Sequence, residues 1–149
     1  MLNFSKVMAL SAALTVLSSN VFAEGMICSG EMFAGFIFDK ASGEWNSSSG
    51  LSNSKYVLAK NKTEMKAVYE VRELGADYPA AYCEDEFNEM GILDCIGFGH
   101  DFSFSRKDLR FLMTYSIGYW NEKSIKSLSP ERKQGDDNPH MIVGKCSEI

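Results

Sequence analysis

Histidine occurs only twice in this sequence and proline three times, and neither recurs at the spacing of a functional motif. There is no HExxH, whose two histidines on one helix face would hold zinc. There is no GxSxG turn to expose a serine nucleophile, no phosphate-cradling glycine loop and no dinucleotide fingerprint. The CxxC that thiol–disulfide exchange uses is also missing. Positive charge is in short supply, 15 Lys and Arg against 20 Asp and Glu, for a net charge of −5. That balance argues against nucleic acid and anionic membrane surfaces as partners, since both attract basic patches. Beyond the first two dozen residues, no apolar run reaches the roughly 20 residues of a spanning helix, so no membrane insertion is expected. These absences point away from an enzyme, and no metal or organic cofactor is expected.

Three fragments of motif are weaker than they look. His100 and Asp101 resemble a base with its orienting carboxylate, but adjacent strand residues face opposite ways. His140 follows Asp136 and Asp137 in DDNPHM, which reads as a polar loop before a last strand. Ser52 and Lys55 match the S-x-x-K spacing of penicillin-recognising enzymes without the companion motifs, in the polar run NSSSGLSNSK.

What is present begins with a leader. One cation, Lys6, precedes an apolar run from Val7 to Leu17 and a small-residue exit, Val21-Phe22-Ala23. That tripartite pattern is a secretory signal peptide, residues 1–23, cut after Ala23. Cys28 follows Gly25-Met26-Ile27 rather than the small residues that a lipid-anchoring cysteine needs. Residues 24–149 are then one domain with room for a single modest core, periplasmic or secreted, and more acidic by the loss of Lys6.

All four cysteines, Cys28, Cys83, Cys95 and Cys146, lie past the leader. An even count in an exported chain reads as disulfides. Three pairings are possible, and the spacing favours Cys83–Cys95 and Cys28–Cys146, the latter with Cys28 just before the first strand and Cys146 just after the last. Between the closer pair lies CEDEFNEMGILDC. A hairpin centred on residue 89 would oppose Cys83 to Cys95, Glu84 to Asp94 and Phe87 to Gly91. Asn88-Glu89-Met90 would be its loop, and Gly91 would take the left-handed conformation. A calcium loop using Glu84, Glu86 and Asn88 fails, since Glu89 falls where glycine is needed and Cys95 where the bidentate glutamate belongs.

Hydrophobic alternation dominates the rest. In LRFLMTYSIGY, Leu109 to Tyr119, Phe111, Met113, Tyr115, Ile117 and Tyr119 alternate with mostly polar or small residues, the pattern of a half-buried strand. Phe102 and Phe104 alternate with serines before it, and Arg106-Lys107-Asp108 makes the turn of a hairpin. Met32 to Phe38, Lys55 to Lys60 and Met141 to Gly144 are further strand candidates. Thr63 to Gly75 fits both periods, and its β-rich surroundings favour strand over helix. The expected fold is mainly β: an antiparallel meander of seven or eight strands forming a small disulfide-stapled barrel or sandwich. Phe36, Phe38, Phe102, Phe104, Phe111, Tyr115 and Tyr119 fill its core or, for Phe102, Phe104, Tyr115 and Tyr119 above all, line a pocket.

The leader, even cysteines, aromatic strands and the ending IVGKCSEI resemble small exported bacterial β-rich disulfide proteins of uncharacterised families. In architecture the chain is more distantly similar to periplasmic β-barrel inhibitors of lysozyme and to lipocalin-like binders. The residues carry no inhibitory motif of either. The expected function is binding, with a cationic protein or a small apolar ligand as partner and an acidic inhibitor of a cationic hydrolase as its sharpest form. The alternatives are a structural envelope protein without a discrete ligand and an enzyme of unrecognised type. Mass spectrometry of the natively expressed protein should find a chain beginning at Glu24; an intact Met1 would contradict the leader.

Overall fold

The computed structural model describes residues 25–63, 66–119 and 137–149; the leader and Asp136 lie outside them. Among the described residues nine strands follow one another: β1 (Gly25–Asp39), β2 (Glu44–Leu51), β3 (Lys55–Lys60), β4 (Tyr69–Glu73), β5 (Ala81–Cys83), β6 (Ile92–Gly97), β7 (His100–Ser105), β8 (Arg110–Tyr115) and β9 (His140–Glu148). Every pairing is antiparallel. From β3 to β9 each strand pairs with the next, and β1 pairs with both β3 and β9, which closes a barrel of eight strands. The ninth, β2, pairs with the second half of β1. Thr63 to Gly75 contributes β4, a strand.

The length of β1 lets it serve two neighbours on one side. Gly25–Ser29 pair with β3 and Met32–Asp39 pair with β2, while β9 runs along the opposite edge from Met26 to Gly35. Between Gly30 and Met32 the register with β9 shifts, so Glu31 is the extra residue of a β-bulge. The bulge reverses the alternation: Met26 and Cys28 are buried before it, and Phe33 packs against the core after it. Glu31 itself reaches Lys145 at 2.8 Å, an exposed ion pair worth little.

Side chains fill the interior. Phe102 and Phe111 stack with centroids 5.3 Å apart, and Tyr56 meets both edge-on. Phe104, Leu58, Leu93, Met113 and Val71 are fully buried around them. Burial, with Glu73 adding, pushes the Tyr56 phenol up to about 12. Gly144 is required on the inner face of β9, because a Cβ there would collide with the Ser29 carbonyl oxygen and the Phe111 ring.

Both expected disulfides form, and the Cα atoms are 3.9 Å apart for Cys28–Cys146 and 4.0 Å for Cys83–Cys95. Cys28 and Cys146 do not flank the outer strands, however. They lie inside β1 and β9 and oppose each other in the ladder, because the strands continue until the sheet is closed. The β5–β6 register is centred on residue 89, with Tyr82 opposite Ile96. Residues 84–91 then leave the ladder, so Glu84 and Phe87 have no cross-strand partners there. The cause is Phe87, which turns over the barrel end. Its ring lies 5.8 Å from Tyr69 and 6.0 Å from Phe104, with the Arg106 guanidinium 4.3 Å above it. Asn88 holds the turn by accepting the N–H groups of Met90 and Ile92, and Gly91 is left-handed at φ 79°.

Two other boundaries differ from the sequence reading. Leu109 belongs to the β7–β8 turn at φ 52° rather than to the strand. β8 stops at Tyr115 because the Ser116 N–H bonds to the Gly99 carbonyl, which leaves Ile117 and Tyr119 beyond it. The strand count rises to nine because the serine-rich β2, which lacks apolar alternation, is a strand by virtue of its pairing with β1.

The bridges span very different loops, with sequence separations of 118 and 12. In the chain-entropy picture the longer loop stabilises by roughly 1–2 kcal/mol more. Denaturant unfolding of Cys28→Ala with Cys146→Ala should therefore show a larger loss than Cys83→Ala with Cys95→Ala. The reverse order would contradict it.

Candidate functional site

Side chains fill the barrel, and the cavities lined by described residues lie at its ends and on its outer face. Phe102 and Phe104 are core residues, 1% and 0% exposed, and line none of the cavities described below. Tyr115 and Tyr119 lie at the barrel end opposite Phe87, but in different surroundings.

At that end the ladders place His100 opposite Tyr115 and Tyr115 opposite His140, a row of three rings across β7, β8 and β9. The His100 and Tyr115 centroids are 4.6 Å apart, and those of Tyr115 and His140 5.6 Å. The Tyr115 hydroxyl donates to Asp137 at 2.8 Å. His140 Nδ1 lies 2.7 Å from the Asn138 carbonyl oxygen. Among the described residues His100 Nδ1 is buried without a hydrogen-bond partner. Burial first, and the neighbouring His140 second, hold the His100 imidazole below the usual histidine range. Asp101 points away and is exposed, so the structure joins His100 to His140 through Tyr115 rather than to its own neighbour. The row packs two imidazoles against an aromatic ring. Among the described residues no three His, Cys, Asp or Glu side chains are grouped to hold a metal.

Beside the row a cleft of about 280 Å³ is lined by Phe33, Gly35, Ile37, Asn138, His140 and Ile142, with the β2–β3 connection at Ser52–Ser54 along its margin. Above it rises an arm formed by the ends of β1 and β2. Trp45 lies 5.3 Å from Phe38 and 5.5 Å from Tyr119, and Tyr119 is 6.3 Å from Phe36. Asp39 turns the tip, its carboxylate accepting the Ala41 N–H and the Ser42 hydroxyl, which together hold it below the ordinary carboxylate range.

The larger cavity, about 650 Å³, lies on the outer face of β5 and β6, lined by Lys66, Ala67, Tyr82, Glu84, Asp85, Asp94 and Ile96. Three of the five acids between Cys83 and Cys95 thus converge on one hollow. Of the other two, Glu86 accepts the Tyr69 hydroxyl at 3.0 Å and Glu89 sits in the exposed turn. The Ser103 hydroxyl donates to Asp94. Ile96, 71% exposed, adds apolar surface to the hollow, and Lys66 adds one cation to its lining. Phe98 extends the apolar surface, 64% exposed and 6.4 Å from Tyr82. Phe98 and Gly99 form the two-residue β6–β7 turn at φ 49° and 83°, where the first position favours asparagine, aspartate or glycine. A phenylalanine there carries backbone strain to show its ring to solvent.

The sequence reading took Glu84, Asp85 and Asp94 as parts of a stapled hairpin and named neither them nor Tyr82, Ile96 and Phe98 as lining a site. Their signal is the outward alternation of Asp94 and Ile96, which only the strand register reveals. Comparisons with protein-family models, curated proteins and solved structures returned no match.

Since His100 titrates below its unfolded value, the unfolded chain binds more protons as pH falls, and stability is lost from about pH 6.5 downward. Denaturant titrations across that range should show a flatter profile for His100→Phe than for the wild type. Identical slopes would contradict the burial of this ring.

Proposed function

We propose that the protein is an exported binding protein that receives a cationic side chain of a partner protein in the hollow on β5 and β6. The observation that carries this reading is that Glu84, Asp85 and Asp94, three carboxylates against the single cation Lys66, line one hollow with the apolar surfaces of Tyr82 and Ile96. A lysine or arginine fits such a site in both parts: its methylene stem lies along apolar surface while its head meets carboxylates. The net charge of −5 would steer a basic partner toward it. Two disulfides fit an oxidising compartment, which supports export. An inhibitor of a cationic hydrolase is the sharpest form of this proposal. A small apolar ligand would have to use the cleft beside Gly35, since the barrel is filled.

Calorimetric titration of the disulfide-intact protein against basic secreted hydrolases, lysozyme first, tests the proposal. Binding should weaken with salt. The triple variant Glu84→Gln, Asp85→Asn, Asp94→Asn should bind at least about tenfold more weakly, roughly 1.4 kcal/mol. No binding to any basic hydrolase, or a triple variant as tight as the wild type, contradicts it.

A further inference from the structure

The edge of β2 that no described residue pairs with has the geometry of a dimer interface. Among the described residues β2 pairs only with β1. In that ladder the Phe36 N–H points to the other neighbour, bonding the Pro139 carbonyl beside β9. Antiparallel strands alternate the direction of their backbone groups, so Gly35 and Ile37 turn theirs toward β2, against Ser48 and Asn46. It follows that Trp45, Ser47, Ser49 and Leu51 aim their N–H and C=O groups at the open edge. Such edges are normally guarded by lysine, proline or a bulge. From Trp45 to Ser54 the chain has no proline and no charge, although the protein as a whole is acidic.

We propose that two copies pair antiparallel along this edge, about a two-fold axis at Ser48. That register opposes Trp45 to Leu51 of the second copy and Ser47 to Ser49, so all four outward-aimed residues enter hydrogen-bonded pairs. Serines meet serines at the centre, and an indole meets an aliphatic chain at each end, both favourable cross-strand pairs. Leu51, 87% exposed alone, gains cover. Glu44 falls beyond the paired residues, so two acidic molecules approach where neither carries charge. On the outer face the row of Leu51, Met32, Val143 and Leu112, continuous by register, becomes one apolar band with that of the second copy.

Sedimentation velocity of the full mature chain should give twice the monomer mass at high micromolar concentration. Ser49→Pro removes a donor only on the open side, where an edge strand tolerates proline, and should give a monomer with an unchanged circular dichroism spectrum. Ser49→Lys should do the same if the proline variant misfolds. Ser48→Cys should form a disulfide-linked dimer, because residues on the axis form a non-hydrogen-bonded pair about 4.5 Å apart at Cα. A monomeric wild type, a dimeric Ser49→Lys or an absent Ser48→Cys cross-link would overturn the proposal.

Discussion

The pairing of β1 with β9 is the constraint on which the rest depends. It joins the two ends of a meander and removes the edges that eight strands would otherwise expose. Bringing Cys28 to Cys146 across a separation of 118 residues costs loop-closure entropy, and the disulfide shifts much of that cost onto the unfolded chain. Gly144 makes the close approach possible, since any side chain there would meet the Ser29 backbone and the Phe111 ring. The Glu31 bulge then reverses the alternation of β1, so its second half can leave β3 and carry β2.

The closed barrel is packed with Phe102, Phe104, Phe111 and Tyr56, and the described cavities lie outside that core. There the acidic hollow, the aromatic arm and the histidine row occupy different places. The stretch from Cys83 to Cys95 shows how one segment serves both purposes. Phe87 turns inward and caps the core, while Glu84, Asp85 and Asp94 stay outside and define the hollow. Its disulfide fixes the boundary between those roles.

Period-two alternation made the barrel legible, because inward residues such as Phe102, Phe104, Phe111 and Met113 must be apolar and their neighbours need not be. The cysteine pairing was legible from spacing: Cys83 and Cys95 are close in sequence, while Cys28 and Cys146 sit near the two ends of the domain. β2 was not legible, since Asn46 to Gly50 bury little and become a strand only by pairing with β1. Nor was the histidine row, because its three members come from strands whose mutual register no local pattern encodes. Phe98 escaped notice because its left-handed backbone is set by a turn that usually takes asparagine. Candidate pocket aromatics and core aromatics share one alternation, so only the closed barrel separates buried Phe102 from exposed Tyr119.

Amide hydrogen exchange on the disulfide-intact protein probes the β1–β9 seam directly. Local opening would expose its amides early, whereas a seam that closes the barrel opens only with the whole fold. The hydrogen-bonded amides shared by Met26–Gly35 and His140–Glu148 should therefore exchange as slowly as the slowest in β6, β7 and β8. Seam amides that exchange well before those three strands would show that the sheet holds together without its closure.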